Sequence, residues 1–124
     1  LNLSNNHCPD VAGSVLASSL SLNTTIRTFI LSNNLIGSST LYTLCTSMSK
    51  SPNLPIQHLE LININLSKGS SIDAIGHLIR TSPYLKYLDL SKNGMCNVSS
   101  GCNSGSNIKY ILVVLISLFF FIFF

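Results

Sequence analysis

The stretch Ile26-Arg27-Thr28-Phe29-Ile30-Leu31-Ser32-Asn33-Asn34-Leu35-Ile36 decides how this chain is read. Phe29 and Leu31 are separated by one residue, and in an extended strand alternate side chains point to opposite faces. These two therefore share an inner side, while Thr28 and Ile30 share the other. Asn34 follows three residues after Leu31, where the chain leaves the strand. Its amide both donates and accepts, so it can satisfy backbone groups that a turn leaves unpaired.

The same register, L-x-x-L-x-L-x-x-N-x-L, recurs along the chain. It appears in Ile56–Leu66 and Leu85–Met95 and, cut at its start, in Leu1–Cys8, with Asn6 and Asn93 matching Asn34. Leu3, Leu31, Leu61 and Leu90 are separated by 28, 30 and 29 residues. The third copy departs from the pattern. Ile64 takes the asparagine position and Asn65 stands beside it, so that rung is expected to be broken or shifted. Recurrence at a fixed period is the mark of units that bury a continuous core by stacking.

The segments between these strands read as helices. Val11-Ala12, Val15-Leu16 and Leu20 recur at three- and four-residue spacing behind Asp10, which is expected to cap that helix. Leu41, Leu44-Cys45 and Met48 repeat the spacing, with Pro52 as the stop. Ile72, Ile75 and Leu78-Ile79 repeat it again, closed by Ser82-Pro83.

The residues Asn23-Thr-Thr-Ile-x-x-Phe-x-Leu-Ser-Asn-Asn-Leu-Ile-Gly37 resemble the ribonuclease-inhibitor-type leucine-rich repeat. That subfamily includes ribonuclease inhibitors, Ran GTPase-activating proteins and nucleotide-binding immune receptors. The resemblance covers roughly residues 1–95, about three and a half units. It implies an α/β fold, a leucine-rich-repeat solenoid forming a horseshoe segment with parallel strands on the concave face and helices outside. It implies protein recognition as the usual task and carries over no ligand.

On such a face the outward strand residues line up in columns: Asn2, Ile30, Glu60 and Asp89; Ser4, Ser32, Ile62 and Ser91; Thr28, His58 and Tyr87. Thr28, Ile30, His58, Glu60, Tyr87 and Asp89 are the expected partner-binding residues, since aromatic and hydrogen-bonding groups dominate interface energetics. The alternative is a solvated sheet face without a partner. Glu60 and Asp89, with His58 near, are not read as a general acid/base pair. A flat open face excludes no water, and no nucleophile or ligand set converges there. No catalytic residue, metal or cofactor is expected, and no phosphate-binding glycine motif occurs.

Charged residues make up 9% of the 124, with a formal net charge of +3 and no basic run. Nucleic acid is therefore not an expected partner, because phosphate neutralisation needs clustered Lys and Arg. Cys8, Cys45, Cys96 and Cys102 show neither CxxC spacing nor paired histidines, which argues against zinc. Cys45 falls on an inward helix face. Cys96 and Cys102 are spaced to close a small disulfide loop in an oxidising compartment. Four Asn-x-Ser/Thr sequons, at Asn2, Asn23, Asn65 and Asn97, fit that compartment as glycosylation sites. His7 reads as a turn residue and His77 as a helix-surface residue.

From Cys96 the composition shifts to a Ser/Gly/Asn-rich linker, residues 96–110, followed by a hydrophobic tail, residues 111–124, with only Ser117 polar. This matches the order of a glycosylphosphatidylinositol signal: small residues at Ser99-Ser100-Gly101, a polar spacer and a terminal apolar run, with attachment at Ser99. Fourteen residues at 1.5 Å rise make a helix of about 21 Å, short of a hydrocarbon core of about 30 Å. A short tail-anchored helix is the alternative. Cleavage at Ser99 removes Cys102, so the disulfide and the lipid anchor exclude each other. With Leu1 already inside a patterned segment, the chain is expected to continue upstream. The expectation is a non-enzymatic protein-recognition module at the cell surface, tethered to a membrane by its C-terminus. The alternative is a structural end piece of a longer repeat protein.

Overall fold

A computed structural model describes residues 1–64, 66, 69–93 and 111–113. The fold is α/β. Three helices, α1 (Ala12–Ser21), α2 (Ser38–Ser49) and α3 (Gly69–Thr81), alternate with three parallel strands, β1 (Thr28–Ile30), β2 (His58–Glu60) and β3 (Tyr87–Asp89). Their order in the sheet follows their order in the chain. Leu1–Leu3 extends the sheet beside β1 through an Asn2–Ile30 bridge, with Leu3 N–H donating to Ile30 C=O at 2.8 Å.

Phe29, Leu59 and Leu88 occupy one row and are fully buried against the helices. Leu31, Leu61 and Leu90 form the next row, with Leu3 partly buried at its end. The helices meet these rows with Gly13, Ala17 and Leu20 from α1 and Leu41, Leu44, Cys45 and Met48 from α2. From α3 come Ala74, Ile75 and Leu78. Each large aliphatic side chain so buried contributes about 1.5–3 kcal/mol. Gly13 sits hard against α2: a Cβ there would lie 1.9 Å from Thr40 Cγ2.

The helices are rich in Ser and Thr, which are ordinarily poor helix formers. Their hydroxyls turn back onto the carbonyl four residues earlier, as in Ser18 to Ser14, Thr43 to Ser39, Ser49 to Cys45 and Thr81 to His77. The hydroxyls are thereby satisfied within the helix, at a small cost to its stability.

Periodicity misplaced some helix faces. Val11 and Val15 are 81% and 67% exposed, and Ile72 is 44% exposed, while Ser71 takes the buried position on α3. Spacing of three and four residues is satisfied by two adjacent stripes in α1, and only packing against α2 selects the one containing Gly13 and Ala17. Asp10 does not cap α1 with its side chain; α1 has no side-chain cap. Its Oδ1 accepts from Gly37 N–H at 3.0 Å, at the head of α2.

The turns after the strands share one device. Asn5, Asn33, Asn63 and Lys92 each adopt a positive φ, between 53° and 60°, at equivalent positions. Asparagine tolerates this left-handed region better than most residues. Asn34 then reaches back to the preceding turn. Its Oδ1 accepts from Asn6 N–H and Cys8 N–H, and its Nδ2 donates to Leu3 C=O and Leu31 C=O. Asn93 does likewise, accepting from Ile64 N–H and donating to Leu61 C=O and Leu90 C=O. The third rung is filled differently: Ile64 is buried in the core, and Asn63 Nδ2 donates to Asn33 Oδ1 at 3.0 Å.

The hydrophobic tail enters the sheet at its first residues. Ile111–Val113 forms β4, antiparallel to β3, with Leu88 opposite Leu112. The outer edge of β3 presents unpaired backbone donors and acceptors, and an extended segment satisfies them. Among the described residues no helix is long and apolar enough to cross a membrane.

Candidate functional site

The parallel register sets the expected columns side by side. Thr28 pairs with His58 and His58 with Tyr87; Ile30 pairs with Glu60 and Glu60 with Asp89. Because Phe29, Leu59 and Leu88 point inward between them, these six residues belong to the outer face of the sheet. Thr28 is exposed, while Ile30, His58, Glu60 and Tyr87 are half-buried.

At the centre of this face the His58 and Tyr87 rings stack, with centroids 4.2 Å apart and planes 19° from parallel. His58 Nε2 lies 2.6 Å from Glu60 Oε1, a hydrogen bond that the carboxylate accepts. Tyr87 Oη donates to Asp89 Oδ2 at 3.3 Å. Imidazole, phenol and two carboxylates thus form one connected surface across β2 and β3.

Asp89 corrects the expectation of an open partner-facing carboxylate, because only 9% of the residue is exposed. Its Oδ1 accepts from Ser91 N–H at 2.9 Å, closing the end of the strand. Burial pushes its carboxyl up, but the Ser91 hydroxyl and N–H, the Tyr87 hydroxyl and the nearby His58 outweigh it and hold it below the usual carboxylate value. Tyr87 moves the opposite way: burial first, then the charges of Asp89 and Glu60, raise its phenol above the ordinary value. In the remaining column Ser32 is also buried, its hydroxyl accepting from Ile62 N–H.

Of the four sequons, Asn2 and Asn23 fall among the described residues; Asn65 and Asn97 lie outside them, as do the attachment residue Ser99, the pair Cys96 and Cys102, and residues 114–124 of the tail. Asn2 Oδ1 accepts from the N–H and hydroxyl of Ser4, and Asn23 Oδ1 from those of Thr25 and from Ile26 N–H. Cys8 and Cys45 are free thiols. Cys45 is fully buried, which pushes its thiol up to about 12. His7 is exposed in the loop ahead of α1 at φ 49°, and His77 is exposed on α3. Among the described residues no cluster of His, Cys, Asp and Glu is arranged to hold a metal ion.

Sequence reasoning missed the left-handed column of Asn5, Asn33, Asn63 and Lys92. The doubled Asn-Asn at positions 5–6 and 33–34 was its signal, the first residue of each pair bending the chain, and Asn34 also bridging the turns. The chain matches no known family model and no characterised protein.

Proposed function

We propose that this chain is a stretch of leucine-rich-repeat solenoid that works as a protein-recognition scaffold, its outer strand face taking the partner and its C-terminal tail tethering it to the cell surface. The observation that carries this reading is the shared register of Thr28, His58 and Tyr87 beside Ile30, Glu60 and Asp89. Residues on adjacent paired strands stand about 4.8 Å apart on a rigid platform, and the stacked ring pair supplies the kind of flat aromatic anchor that dominates interfaces. The half-buried Glu60 carboxylate beside the rings favours a partner segment that presents a cationic or hydrogen-bond-donating group.

The test is affinity enrichment from cell-surface extracts with the native chain and with His58→Ala and Tyr87→Ala, each variant first shown to melt like the native chain. A partner held by the native chain and released by both variants supports the reading. Equal recovery by all three overturns it. The tether is tested by phospholipase C on cells carrying the full-length protein: release supports a lipid anchor, and retention with the Phe-rich tail still detected sinks it.

A second reading, a structural end piece without a ligand of its own, is supported by the open face beside α1. Leu3, Cys8 and Leu16 are only partly buried there, whereas their counterparts Leu31, Ile36 and Leu44 are exposed by 0%, 2% and 0%. Asn6, the counterpart of Asn34, turns to its own Ser4 C=O. The two readings part on the enrichment experiment, since an end piece loses nothing on Tyr87→Ala.

A further inference from the structure

The outer face of α1 carries an apolar stripe that the core does not use. Val15 is 67% exposed and Leu22, seven residues on and so about two turns along the same side, is 86% exposed. Val11 adds to it at the other end. Soluble chains keep such stripes small or cover them. Directly after Leu22 stands Asn23, in the turn between α1 and β1, within the sequence Asn23-Thr24-Thr25.

The bonding of Asn23 divides its amide in two. Every described bond falls on Oδ1, which accepts from Thr25 N–H at 2.9 Å, Ile26 N–H at 2.7 Å and the Thr25 hydroxyl at 3.4 Å. These bonds hold the turn. A substituent on Nδ2 therefore disturbs none of them, and the half-buried Asn23 stands among the exposed Leu22, Thr24 and Thr25. Asn34 shows the contrast: its Nδ2 donates to Leu3 and Leu31 carbonyls and has no room for a substituent. Asn2 is also free at Nδ2, but it stands in the column of Ile30, Glu60 and Asp89, so a bulky group there would cover the recognition face.

We propose that Asn23 carries an N-linked glycan, which shields the Val15–Leu22 stripe and leaves the outer face of the sheet open. The donor is a polyprenyl-pyrophosphate-linked oligosaccharide. A bond forms from Asn23 Nδ2 to the anomeric carbon of the first sugar, and the bond from that carbon to the phosphate oxygen breaks. The polyprenyl pyrophosphate leaves, and the proton lost from Nδ2 goes to a base. This inference rests on the cell-surface reading, because the donor is met only in the secretory pathway.

The experiment separates the two. The full chain is translated with an added cleavable signal peptide in the presence of microsomes, and only the protease-protected fraction is scored. Entry into the lumen is thereby forced and verified whatever the natural destination. Enzymatic glycan release in heavy-oxygen water converts a glycosylated asparagine to labelled aspartate, located by peptide fragmentation. Labelled aspartate at position 23, lost in Thr25→Ala, is the expected result. Unlabelled Asn23 in the protected fraction, or label that persists in Thr25→Ala, overturns the proposal. The cell-surface reading is decided separately by the phospholipase experiment on the natural full-length protein.

Discussion

Asp10 and Gly37 are joined across the helix layer: the carboxylate in the loop ahead of α1 accepts the backbone N–H of the residue that opens α2. The same loop holds α2 a second time, where the Thr40 hydroxyl donates to the Asp10 carbonyl. An acceptor at a helix start takes a donor that has no intrahelical partner, and a negative charge there is favoured by the helix dipole. Here α2 is capped from the loop ahead of α1, so the contact ties the packing of the two helices to the stability of each.

The first prediction follows from the charge of Asp10. Hydrogen bonds from Thr40 and Gly37 hold its carboxyl below the ordinary value of 3.8. A carboxyl lowered in the folded state stabilises above its unfolded value, and that contribution is lost as pH falls through the folded value. Asp10→Ala should melt earlier than the native chain at pH 6, by about 0.5–1 kcal/mol for a surface cap. The gap should narrow as pH falls below 3.8 and through the lowered folded value. An undiminished gap at low pH would mean that the charge plays no part.

The asparagine bridges are the second. Asn34→Ala strips partners from two N–H groups and two carbonyls at a partly buried turn. Leaving several such groups unpaired should cost about 2–4 kcal/mol. Asn6→Ala removes one exposed bond to Ser4 C=O and should change stability by less than about 0.5 kcal/mol. Denaturant titrations giving the two variants equal losses would show that bridging is not what Asn34 does.

Lys92 supplies the third. It holds φ 60° where the equivalent positions carry asparagine, and a left-handed conformation costs an ordinary L-residue about 1–2 kcal/mol. Lys92→Asn should therefore raise stability, by about 0.5–1 kcal/mol, because asparagine recovers only part of that cost. A lower melting temperature for Lys92→Asn would refute the strain argument.

The fourth concerns the thiols. Burial raises Cys45 to about 12, and only the thiolate reacts with alkylating reagents. In the native chain at pH 8, Cys8 should be labelled by a maleimide within minutes and Cys45 only after denaturant is added. The sign for stability is the reverse of that for Asp10. The contribution of protonated Cys45 is present below its ordinary value of 9.0 and is lost as pH rises toward about 12. Labelling of both thiols at one rate without denaturant would place Cys45 outside the core.

The sequence alone determined the strands, their inner rows and the columns of the outer face. A two-residue alternation of apolar side chains has only one way to bury Phe29 with Leu31, Leu59 with Leu61 and Leu88 with Leu90. A recurrent register at a spacing of 30 and 29 residues then puts Thr28, His58 and Tyr87 abreast. Tertiary structure alone decided what no single segment encodes. Val15 is more apolar than Ala17, yet Ala17 faces inward because Gly13, on the same side of α1, packs against Thr40 of the next helix. Asp10 precedes one helix and caps another, because the acceptor goes to whichever unpaired N–H the neighbouring helix brings within reach. Asp89 alternates outward like Glu60 but is drawn into the surface by Ser91 N–H and Tyr87 Oη. Periodicity reports which side of a segment is apolar; burial, capping and hydrogen bonding depend on the neighbour that arrives 28 to 30 residues later in the chain.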